Sequence, residues 1–151
     1  GVRAQGGILF GSDTAAANAL DDYEEGSHTI VTNTNLTPRS DYSAWKYTKI
    51  GNQVTIAGLL FVSSVSSTNF VSVSLPFAAA TSVTNGVNSY TGQPMFNGVD
   101  TGSSGLAWYL ASGSANLAFY TLSDNGSWGQ LRNSSLTAND EIYCTVTYLT
   151  A

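Results

Sequence analysis

The chain has 151 residues, 42% of them hydrophobic and 10% charged, a length that fills one domain and falls short of two. Five of its acids (Asp13, Asp21, Asp22, Glu24 and Glu25) precede Gly26, after which Asp41, Asp100, Asp124, Asp140 and Glu141 face Arg39, Lys46, Lys49 and Arg132 in a nearly neutral body. With no cluster of Lys and Arg to meet phosphates, one cysteine, Cys144, and no apolar run of the roughly 20 residues that cross a bilayer, the sequence excludes nucleic-acid partners, an intrachain disulfide, a thiolate zinc site and helical membrane insertion.

Taken in chain order, residues 1–26 read as an extended, Gly-hinged lead-in. Three glycines flank Ile8-Leu9-Phe10, an apolar run too short to fold alone. Ser12 or Asp13 is placed to cap one short helix through Ala15, Ala16, Ala17, Ala19 and Leu20, with Gly26 as its terminator. In this reading Tyr23 is the buried anchor of the acidic block. Residues 27–151 read as a head of short strands at 29–32, 45–50, 53–62, 69–75, 82–90, 106–111, 116–122 and 141–149, separated by Gly, Asn and Ser. Val71, Val73 and Leu75 alternate with Ser72 and Ser74, and Ile142, Cys144, Val146 and Tyr148 share one face of the last strand. Residues 56–62 are apolar on both faces apart from Gly58, so this strand is expected at the centre of a sheet or at a subunit contact. Gly51-Asn52 has the form of a two-residue hairpin turn, and Asn85-Gly86, Asn97-Gly98 and Asn125-Gly126 supply further turn positions. The expected fold is all-β, an antiparallel sandwich or jelly roll.

Chemistry has few footholds. Asp21, Asp22, Glu24 and Glu25 lack the alternate spacing of a calcium loop, so a structural role is preferred to an ion site. The single histidine, His28, stands at a strand start with no nucleophile-elbow pattern, and the acids of the body form no pair suited to glycoside hydrolysis. No catalytic residue, metal or cofactor is assigned. Cys144 reads as a small core hydrophobe, and Trp45 and Trp108 as core. Trp128 differs, because it follows Asp124 and Asn125 in a turn-rich stretch, the pairing of an indole with short polar side chains that stacks on a sugar and reads its hydroxyls. Tyr90, Gln93 and Asn97 form a second such stretch. These six are the candidate receptor-binding residues.

The order of motifs also carries a resemblance. Residues 20–26 (Leu-Asp-Asp-Tyr-Glu-Glu-Gly), Tyr47-Thr48-Lys49-Ile50-Gly51 before Val54-Thr55-Ile56, Leu75-Pro76-Phe77 and the closing Tyr148-Leu149-Thr150-Ala151 resemble the C-terminal domains of bacteriophage tail fibres and tail spikes, especially those of marine and cyanobacterial phages. The likeness covers essentially the whole chain. It departs from the family where Ser27-His28-Thr29-Ile30 follows the acidic block and across 85–105. The resemblance implies a homotrimeric β-rich head behind a fibre shaft. Such a head is made in the bacterial cytoplasm, displayed on the virion, joined to the shaft or other virion proteins, and attached to a host-surface glycan or other receptor. The alternatives are a virion decoration or cement module and the non-catalytic module of a depolymerase spike.

Overall fold

The computed structural model describes residues 8, 9, 12, 14, 22–33, 35–81, 89–102 and 104–151. Most of the expected 12–20 helix and of the expected 82–90 strand lies outside these residues. Among the described residues the chain is all-β, with every strand pair antiparallel and a single 3-10 turn at Asn133–Ser135 as its helical content.

Among the described residues eleven strands follow in order: β1 (Tyr23–Thr29), β2 (Leu36–Pro38), β3 (Ala44–Ile50), β4 (Gln53–Val65), β5 (Ser72–Ser74), β6 (Tyr90–Gly92), β7 (Met95–Asn97), β8 (Gly105–Leu110), β9 (Asn116–Leu122), β10 (Gly129–Gln130) and β11 (Glu141–Leu149). The first sheet runs β1-β3-β4-β11-β7, with β2 on the C-terminal end of β4; the second runs β10-β9-β8-β6, with β5 on β9. One apolar core joins them, as in a β-sandwich. Trp45, Val54, Ile56, Leu60, Val62, Ile142, Val146 and Tyr148 come from the first sheet, and Val73, Leu106, Trp108, Leu110, Leu117 and Phe119 from the second. Period-2 alternation explains this division: in β11 the even positions are buried and the odd ones are not.

The doubly apolar strand is central, since β4 lies between β3 and β11. The Gly51-Asn52 hairpin forms as expected. Ile50 pairs with Gln53 around Gly51, whose φ of 57° suits the positive first position of a type II′ turn. Trp45, Trp108 and Cys144 are core.

Other expectations are corrected. Gly26 terminates no helix. It lies inside β1 opposite Tyr47, so the strand expected at 29–32 begins at Tyr23, and the 26/27 boundary falls within a strand of the first sheet. Extended backbone turns Tyr23 outward, where it is 57% exposed and bonds Glu25 rather than anchoring a core. The strand expected at 69–75 contracts to β5, with Phe70 making only an isolated bridge to Arg132. The segment read as a loop around Tyr90 and Phe96 contains two strands, β6 in the second sheet and β7 in the first.

Candidate binding surfaces

Strand alternation builds an aromatic surface on the outer face of the second sheet. In β8 and β9, Leu106, Trp108, Leu110, Leu117 and Phe119 point into the core, which turns Tyr109 and Tyr120 outward. The β9-to-β10 connection then returns Trp128 over them, because Gly129 pairs with Thr121 and Gln130 with Tyr120. The Trp128 ring lies 5.6 Å from Tyr120 at 37° and 6.0 Å from Tyr109 at 58°, while the two tyrosines meet edge to face at 6.0 Å. These separations are those of rings in mutual contact, so no cage opens between them and only their outer surfaces are free. Trp128 remains 64% exposed despite both contacts.

Polar groups rim this surface. Tyr109 Oη donates to Ser89 Oγ at 3.1 Å, and Thr91, paired with Tyr109, donates to the Trp108 carbonyl at 3.0 Å. In the connecting loop, Asn125 has a φ of 56°, and Gly126 N–H reaches the Ser123 carbonyl at 3.4 Å. Asp124 and Asn125 are exposed, and their side chains have no hydrogen-bond partner among the described residues. The described cations are engaged elsewhere. Arg39 pairs with Asp41, Lys46 with Ser27, Lys49 with Asp22, and the Arg132 guanidinium lies 4.5 Å over Phe70. The surface therefore offers ring faces, an amide and a carboxylate, a set suited to an uncharged polyhydroxylated ligand and unsuited to an anionic one.

The candidate residues do not come together. Trp128, Asp124 and Asn125 belong to this surface, whereas Gln93 lines a groove on the outside of the first sheet and Asn97 pairs with Glu141 beside that groove. Tyr90 belongs to neither. Its residue pairs with buried Leu110, its ring packs 6.3 Å from Tyr148, and its hydroxyl accepts the Leu149 N–H at 3.1 Å. It is a packing residue that ties the second sheet to β11. Sequence reasoning missed Tyr109 and Tyr120, although a signal existed: in Trp108-Tyr109 and Phe119-Tyr120, one aromatic of each doublet must face outward.

His28 and the acidic block have structural partners. His28 Nε2 lies 2.8 Å from Ser74 Oγ, which also accepts the Val31 N–H at 2.8 Å, and this joins β1 to β5. Burial holds the imidazole pKa below its ordinary value, with a hydrogen bond to the Ser74 backbone opposing. Glu24 accepts from Tyr47, Glu25 from Tyr23, and Asp22 pairs with Lys49. Among the described residues no group of three His, Cys, Asp or Glu converges as a metal site. Comparison with protein-family models, with curated proteins and with solved structures gives no match to this chain.

Proposed function

We propose that this chain is the β-rich head of a phage tail fibre, a homotrimeric virion protein that attaches to the host by binding a neutral surface glycan and performs no catalysis. The observation that carries the contact is the Tyr109-Tyr120-Trp128 surface, an indole 64% exposed yet held against two tyrosines, with free Asp124 and Asn125 in the same loop. A ring held in place by its neighbours contributes stacking area at little entropic cost, and the adjacent carboxylate and amide distinguish hydroxyl orientation. The near-neutral body lets a neutral polymer approach without electrostatic selection. The order of the acidic block, the Tyr-Thr-Lys-Ile-Gly hairpin and the closing Tyr-Leu-Thr-Ala supports the phage assignment by resemblance.

The test is adsorption to host cells and to a neutral-glycan array by the wild type, Trp128→Ala and Tyr120→Ala, with melting and mass as controls. Both variants should keep their fold and bind about tenfold more weakly. Adsorption that survives both changes places the receptor contact elsewhere, and binding to capsids in place of cells selects the decoration module.

A further inference from the structure

The outer face of the first sheet carries a second surface of different chemistry. Strand register arranges it in three cross-strand rows: Lys46, Ala57 and Thr145; then Leu59, Tyr143 and Met95; then Phe61, Glu141 and Asn97. The middle row is apolar and open. Met95 is 76% exposed and Tyr143 is 43% exposed, and they border a groove of about 780 Å³ that Tyr42 and Leu59 also line. Nothing in this row except the Tyr143 hydroxyl offers a hydrogen bond, and that hydroxyl already donates to Glu141 at 3.1 Å. The polar side chains of the same groove, Lys46, Gln93 and Thr145, lie outside this row.

Opposite charges mark the two ends. Lys46 stands in the first row and Glu141 in the third, separated along β4 by the four residue steps from Ala57 to Phe61, about 13 Å of strand. Neither has an ion-pair partner among the described residues. A protein surface that fits this face needs an apolar strip, an acid opposite Lys46 and a base opposite Glu141. The same face, turned about a two-fold axis, supplies all three, and the nearly neutral body gives two copies little cause to repel.

We infer that the outer face of the first sheet is the contact between copies of this chain, with Lys46 set against the partner's Glu141 and the Leu59-Tyr143-Met95 row closed against its neighbour. A contact that sets both Lys46–Glu141 pairs at once is two-fold and joins two copies, so the inference goes beyond the three-fold assembly of the proposed function and is independent of its glycan part. It also gives the outward apolar side chains of β4 a burial that the sandwich alone does not provide.

Light scattering of the intact chain at micromolar concentration reads the outcome. The wild type should contain an even number of copies and Met95→Lys should have half the wild-type mass with unchanged melting, since this exposed side chain adds nothing to the core. Lys46→Glu and Glu141→Lys should each weaken assembly about tenfold, and the double reversal should recover it. A wild type with an odd number of copies, an oligomer indifferent to Met95→Lys, or a double variant no better than the single ones overturns the inference. Glycan binding by Met95→Lys is read separately through Trp128, so failure of the assembly surface is distinguishable from failure of the receptor surface.

Discussion

The Trp45 ring lies directly over Gly58, so closely that a Cβ built on the glycine would overlap the indole, and its Nε1–H donates to the neighbouring Leu59 carbonyl at 3.1 Å. Two other aromatics lie over glycines in the same manner: Tyr47 over Gly26 and Trp108 over Gly92, each pair directly opposite across two strands. A glycine in a strand loses packing and backbone entropy, and a cross-strand aromatic laid over it restores much of the packing.

Gly58→Ala should therefore cost about 3 kcal/mol, because Trp45 is 1% exposed, is fixed by its hydrogen bond and has nowhere to move. Gly26→Ala should cost about 1 kcal/mol or less, since the half-buried Tyr47 ring sits near the sheet edge and can swing aside. Urea unfolding of the two variants checks the contrast. Equal losses would mean that both rings are equally confined.

Stability should fall on the alkaline side as two buried acids ionise. Burial pushes the Cys144 thiol from 9.0 up to about 12 and the Tyr148 hydroxyl from 10.0 up to about 12, the latter while it donates to the Phe77 carbonyl at 2.9 Å. For a raised pKa, the stabilisation is whole below the unfolded value and is lost as pH climbs through the folded one. Unfolding midpoints should decline from about pH 9 toward 12, and Cys144→Ala should remove the part that starts near 9. At neutral pH, Tyr148→Phe should cost about 1 kcal/mol for the lost hydrogen bond.

The acid side should report His28. Its folded pKa is depressed, chiefly by burial, so the stability it contributes is present above the ordinary value of 6.5 and is lost as pH falls through the folded value. His28→Gln can keep a hydrogen bond to Ser74 without titrating, and its unfolding midpoint should lose the histidine component below 6.5. An unchanged acid profile would assign that limb to the carboxylates.

Of the three tryptophans, Trp45 is 1%, Trp108 is 6% and Trp128 is 64% exposed. Acrylamide should quench one emitting component in the native wild type and none in Trp128→Ala, and a bound neutral glycan should protect that component. Binding by Trp128→Ala should weaken about tenfold, the worth of one well-placed aromatic contact. Tyr90→Phe should instead lower stability by about 1 kcal/mol with binding unchanged, since its hydroxyl serves the Leu149 backbone.

The all-β class, the central place of the doubly apolar strand, the Gly51 hairpin and the burial of Trp45, Trp108 and Cys144 are all legible in the order of residues alone. Each follows from local rules: period-2 burial, a glycine at a positive φ, and large apolar side chains within strands. The rest depends on which strands pair. Tyr23–Thr29 is a strand only because β3 offers it a ladder, which overrides the helical appearance of an acidic, Gly-terminated stretch. Tyr90 became packing because β6 lies beside β11, and Gln93 and Trp128 were sent to different sheets. The grouping of Tyr109, Tyr120 and Trp128, like the spacing of Lys46 from Glu141, is fixed by register between strands. Register is settled by which faces are buried together, a property that no stretch of sequence carries alone.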